Sequence, residues 1–219
     1  MGARGAPQPQ VGSPLMQRIW AQTLPVAALG TVPRRWALSS DNAPPHMLAG
    51  SAAVFAAMRQ LIAGAQREVL LQAFAWQDGS RGAAELRRGL QGLHQAQQQR
   101  RARGEAPRAV RVDIFLRRIY LSLRGGRDIS RLQGMLARLD PTLVALHLWD
   151  HGELFLGLLH GKSLVVDAQR ALICGANPQH HFDPHGAWFD SGCVMAGGDG
   201  ALTLLRCSRQ SAHRSSKSP

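Results

Sequence analysis

His160, Lys162, Asp167 and Asn177 are the residues whose types and spacing suit one piece of chemistry, the handling of a phosphodiester. They stand in His160-Gly161-Lys162-Ser163-Leu164-Val165-Val166-Asp167, followed by Gly175-Ala176-Asn177. In a strand alternate side chains share a face. His160 and Lys162 are then neighbours on one face, with Leu164 and Val166 farther along it, and Gly161 keeps the backbone between them slim. A phosphodiester asks three things of a protein: a nucleophile for phosphorus, cations for the oxygens of the pentacoordinate state, and an acid for the leaving alcohol. Imidazole serves as the first or the last near neutral pH. An ammonium at the next position on the face serves as the second. Asn177 ends the neighbouring strand, where its amide can donate to the same phosphate, and Gly175 lets the chain pass close beneath. The chain has two lysines, Lys162 and Lys217, and two asparagines, Asn42 and Asn177. One of each scarce type falls inside the motif.

Positioning these side chains takes a sheet, and the rest of the chain reads as one. Val54, Phe55, Met58, Leu61, Ile62 and Ala65 recur at helical spacing. Val69 to Phe74 follows as a buried strand, Gln77-Asp78-Gly79-Ser80 as a turn, and Ala83 to Gln98 as a second helix. Val110 to Phe115 is a strand. Ile129, Leu132, Leu136 and Leu139 mark a helix that leads to Pro141. Val144 to Leu148 is a further strand. Leu158 to Val166 pairs with Ala171 to Cys174 across the turn 167–170, and a last strand lies near Cys193-Val194-Met195. Alternating helices and strands, then strands in quick succession, predict an α/β fold with a mixed sheet flanked by helices. Residues 1–45 read as an irregular Pro/Gly/Gln-rich lead-in, 46–205 as the domain with the motif, and 206–219 as a disordered polar tail.

The balance of charge names classes of partner. With 26 Lys and Arg against 14 Asp and Glu among 219 residues, the net charge is +12. That favours nucleic acid, an anionic membrane surface or a phosphorylated substrate. Most of it is arginine, and Arg100 to Arg108 form a basic loop that reads either as a solvated connection or as an anion-steering patch. No run of apolar residues approaches the length of a membrane span, so the expected location is cytoplasmic or peripheral to a membrane. Cys174, Cys193 and Cys207 have neither metal-type spacing nor an even count, and read as reduced thiols. The cluster His180, His181, Asp183, His185 sits around Pro184 and Gly186 and reads as a polar loop at the rim of the site rather than a metal centre. No metal and no cofactor is expected.

H-x-K-x4-D followed by G-x-N resembles the HKD motif of the phospholipase D superfamily. The likeness extends from about Ala49 to Gly197. It includes Ala65-Gln66-Arg67-Glu68 at the end of the first helix, Phe74-Ala75-Trp76 after the first strand, and the W-x-D segment Trp188-Phe189-Asp190. The resemblance implies a phospholipase D-like half-domain, α/β in class, and a metal-independent two-step reaction. His160 would form a phosphohistidine. The histidine of a second motif would protonate the leaving alcohol and then activate water or an acceptor alcohol. Lys162 and Asn177 would hold the phosphoryl oxygens. Asp167, the last residue of the catalytic motif, falls off the His/Lys face and is expected to lend a supporting hydrogen bond or charge. Gly175 and Asp190 are supporting, Asp190 as a group that orients a histidine.

The chain departs from the family in carrying one motif where the site needs two. Either two copies pair about a twofold axis, each giving one His160, or a second half-domain is missing. Three functions follow: a phospholipase D-type phosphodiesterase or phosphatidyltransferase on phospholipids, a nuclease of the same superfamily working as a homodimer, or a catalytically silent half of a two-motif enzyme.

Overall fold

The computed structural model describes residues 18, 22, 42–116, 130–134, 136–150, 161–186, 188–198, 200–202 and 204–205. Within them one seven-stranded sheet organises the molecule. Its strands are β1 (His46–Ala49), β2 (Glu68–Ala73), β3 (Val110–Leu116), β4 (Val144–Asp150), β5 (Ser163–Val166), β6 (Arg170–Cys174) and β7 (Ser191–Ala196). They lie in the order β1-β7-β6-β5-β2-β3-β4. The strands β2, β3 and β4 run parallel. The other pairings are antiparallel. The sheet is therefore mixed, and the fold is α/β as the alternation of elements predicts. A parallel strand must be covered on both faces; in β2 every residue from Val69 to Ala73 is buried.

Two helices build the larger core. The first, α1 (Ser51–Ala63), buries Val54, Phe55, Met58 and Ile62 along one stripe. The second, α2 (Arg81–Ala102), starts at Ser80, whose hydroxyl accepts from the Ala83 amide at 3.2 Å and so satisfies one orphan N–H. The two lie close because glycine stands at their contact: a Cβ on Gly89 would come 3.1 Å from the Arg59 carbonyl oxygen. Their apolar faces pack with Leu71, Val112, Ile114, Leu164 and Leu172 of the sheet. On the opposite face Leu70, Phe115, Val165 and Ala171 pack with Ala201 and Leu205.

Five details differ from the sequence reading or fall outside the described residues. The strand β1 has no signal in the sequence; it is four residues long, mostly exposed, and exists by pairing with β7. The sheet also reaches into the stretch read as the lead-in, because the Ala43 amide donates to the Ala196 carbonyl at 2.8 Å and Asn42 bridges to Gly197. The strand expected from Leu158 begins at Ser163 among the described residues, and residues 158–160 lie outside them. Of the helix expected from Ile129, residues 130–134 and 136 are helical, and Ile129 lies outside the described residues. The tail 206–219 lies outside them as well.

Of the stretch read as a basic loop, Arg100 to Ala102 continue α2 beyond the Gln98 end expected for it, and three of its arginines form ion pairs. Arg100 and Arg103 each bind Glu105 and Arg101 binds Asp140, at 2.8–3.1 Å. The loop precedes β3 and so sits at the end of the sheet remote from Lys162, which lies by the other end of β2.

Candidate functional site

The last residues of the motif grip the two ends of β2. At the entry, the Asp167 carboxylate accepts from the backbone amides of Gln66 (3.0 Å), Arg67 (2.7 Å) and Glu68 (3.0 Å). Its own amide donates to the Glu68 carbonyl at 2.9 Å. At the exit, the Asn177 Oδ1 accepts from the amides of Phe74 (3.0 Å) and Ala75 (3.3 Å). Motif and first strand thus fold as one unit: β5 lies against β2, and a side chain at either end ties down the adjoining chain.

Asp167 is placed away from the reacting groups. It sits at the β5–β6 turn, where Asp167 and Ala168 both have φ 57° and the Gln169 amide closes on the Val166 carbonyl at 3.1 Å. Both central residues are left-handed, the type I′ hairpin pattern, in which Asp is tolerated and Ala strained. Five residues of nearly extended chain separate it from Lys162, on the order of 15 Å. Grouped on the resemblance with the catalytic residues, Asp167 has the geometry of a clamp.

Lys162, Gly175, Asn177 and Asp190 are brought together. With Phe182, Trp188 and Phe189 they line a cleft of about 440 Å³. Lys162 is 7% exposed. Its carbonyl accepts from the Cys174 amide at 3.1 Å, so β5–β6 pairing fixes its backbone. Its Nζ lies 5.6 Å from the centre of the Phe74 ring. Burial lowers the pKa of this ammonium, opposed by the Cys174 thiol and the Asp190 carboxylate. Burial also pushes the Cys174 thiol up to about 12. That thiol is neutral at physiological pH, which leaves Asp190 as the charge that Lys162 feels from these two.

Asn177 is also buried. With its oxygen spent on two amides, its NH2 group is the part left to donate into the cleft it lines. Gly175 is required by Asp190: a Cβ there would fall 2.5 Å from Asp190 Oδ2. The Asp190 carboxylate accepts instead from the amides of Gly175 (3.3 Å) and Ser191 (2.6 Å). A carboxylate held by two amides stays in place beside an ammonium, where it can orient a cation or a protonated imidazole.

His160, two residues before Lys162, lies outside the described residues. The histidine loop is the short 3-10 turn His180–Phe182 and its continuation. His180 Nδ1 pairs with Asp183 at 3.1 Å, and the His181 ring stacks on Trp188 at 5.3 Å between centroids. Sequence reasoning gave no role in the site to Phe74 and Cys174, which lie beside Lys162, or to Phe182 and Phe189, which line the cleft wall. No spacing rule singles out an aromatic after a strand; only the position of Phe74 directly after β2 could have pointed to it.

No family model matches the sequence, and no curated protein matches it. The likeness is in the fold. The chain superposes on Nuc from Salmonella typhimurium, a phospholipase D family member, with a TM-score of 0.50 and 11% identity, covering 78% of this chain and 96% of that one. NucT from Helicobacter pylori gives a TM-score of 0.50 and 12% identity over the same shares. Phosphatidylserine synthase from Haemophilus influenzae Rd KW20 gives 0.52 and 18%, covering 74% of this chain and 35% of that one.

Proposed function

Given a fold shared with phospholipase D family structures, we propose that this chain is a phosphodiesterase or phosphatidyltransferase that acts on phospholipids through a phosphohistidine at His160. One observation carries the reading. A buried ammonium, Lys162, and a buried amide, Asn177, line one cleft, and Lys162 follows by two residues the histidine proposed as nucleophile. In the first step an imidazole nitrogen of His160 bonds to phosphorus, the bond from phosphorus to the leaving oxygen breaks, and a second histidine gives that oxygen its proton. In the second step water or an alcohol gives its proton to that histidine as its oxygen bonds to phosphorus and the P–N bond breaks. Lys162 and Asn177 bind the non-bridging oxygens throughout.

This sequence holds no second H-x-K, and the second histidine is proposed to come from a second copy of the chain or from a second half-domain. The same fold unit spans nearly all of Nuc and NucT but about a third of the synthase, which is compatible with pairing either with a copy or with a second half-domain. A second reading, a nuclease of the same mechanism working as a homodimer, is favoured by the net charge of +12.

Incubating the protein, with chelator present, with head-group-labelled phospholipid and with labelled single-stranded and duplex DNA tests these readings. Release or transfer of the head group, abolished in His160→Ala, is expected. Cleavage of DNA alone would replace the lipid reading by the nuclease one, and full activity in His160→Ala would remove the proposed nucleophile.

A further inference from the structure

Gln72 stands in β2 among Val69, Leu70, Leu71 and Ala73, a polar side chain in an otherwise apolar buried run. It is 6% exposed, and Ser163, its partner across the ladder, is 3% exposed. The Ser163 hydroxyl donates to Gln72 Oε1 at 3.0 Å. By alternation the pair shares a sheet face with Leu70 and Val165, away from α1 and α2. Lys162 alternates to the other face, with Leu164 and Val166. The same oxygen also bears on the residue before Lys162: a Cβ on Gly161 would come 3.1 Å from Gln72 Oε1. Gly161 is not among the residues with a left-handed φ, so what glycine supplies there is room for that oxygen. One side-chain oxygen thus stands against both chain neighbours of Lys162.

The ladder gives that oxygen its importance. Pairing of β5 with β2 ends at the rung Gln72–Ser163. Lys162 stands one residue past it, tied on the β6 side through the Cys174 amide. Chain beyond a last rung is where a strand opens first. The fold itself does not need a polar pair there, since two apolar side chains of the same shape stabilise a buried contact about as well. What the polar pair adds is direction: a hydrogen bond fixes one atom against another, whereas apolar contact is non-directional. The atoms fixed in this way flank the ammonium that lines the cleft.

We infer that Gln72 is a positioning residue for the cleft, its Oε1 fixing the chain on both sides of Lys162 so that the ammonium keeps its place; the inference rests on the reading of Lys162 as a phosphate-binding group. The test uses the scarcity of lysine. Full chain labelled with 13Cε-lysine gives two NMR signals, from Lys162 and Lys217, and Lys162→Met assigns the first. That signal reports position, because the Lys162 Nζ lies 5.6 Å from the centre of the Phe74 ring. The apolar pair Gln72→Leu/Ser163→Ala is expected to leave the urea midpoint in place, to displace the Lys162 signal and to lower kcat on head-group-labelled phospholipid about tenfold. Gly161→Ala is expected to displace the signal in the parent and not in a Gln72→Ala background, where the oxygen it crowds is gone. A Lys162 signal unmoved in the apolar pair overturns the inference, and with a lowered urea midpoint it makes the pair a matter of stability alone. An equal effect of Gly161→Ala in both backgrounds overturns it as well. If the signal moves as expected but the parent turns over no phospholipid, the positioning stands and the proposed reaction fails. If phospholipid is turned over and neither signal nor kcat responds to the apolar pair, the reaction stands and the positioning fails.

Discussion

Lys162 holds a positive charge where the fold would gain from a neutral one. Burial lowers its pKa from the usual 10.5, so between the two values the unfolded chain binds more protons than the folded one, and this group's contribution to stability rises with pH up to about 10.5. Cys174 contributes the reverse slope, from 9.0 to about 12, so comparison with Lys162→Met isolates the lysine. That variant is expected to melt a few degrees higher near neutral pH, with its advantage shrinking toward 10.5, while turnover is lost. Melting curves across the alkaline range and an activity assay check both. Gly175 is the second residue with a sharp consequence. Gly175→Ala puts a methyl group where the Asp190 carboxylate sits, and should cut kcat while leaving a stable fold; a variant with full kcat would show that Asp190 is not needed in its place. The sequence disclosed these residues by type and spacing. It did not disclose why glycine is required, because Gly175 and Asp190 are brought together by β6 and β7 pairing, not by nearness in the chain.

At the scale of elements, the hairpin β5–β6 is fastened to β2 at both ends, and the fastening can be measured. Asp167→Ala leaves three backbone amides without their acceptor, at an expected cost of about 2–4 kcal/mol in urea unfolding. Ala168→Gly relieves a left-handed alanine and is expected to add about 0.5–1 kcal/mol, the strain removed less the extra chain entropy of glycine. The elements themselves were legible where burial is patterned: the stripe of α1 and the largely apolar β2 appear in the sequence as they do in the fold. The strand β1 was not legible, because His46, Met47 and Ala49 are exposed and a short edge strand has no core pattern of its own. The same holds for the aromatics of the cleft, whose role depends on which loop meets which.

At the scale of the whole molecule, the described site holds a cation, an amide and a carboxylate, and the proposed reaction needs two histidines. A second copy that donates the other His160 predicts that activity per chain falls on dilution while mass measured by light scattering passes from dimer to monomer. A monomer of undiminished activity contradicts the shared site. The most direct measurement is of the covalent intermediate. Protein mixed briefly with a phospholipid, quenched and measured by intact mass should carry one phosphatidyl group per reacting site, mapped by peptide analysis to His160 and absent from His160→Ala. An adduct on another residue, or turnover with no adduct and full activity in His160→Ala, would contradict the account.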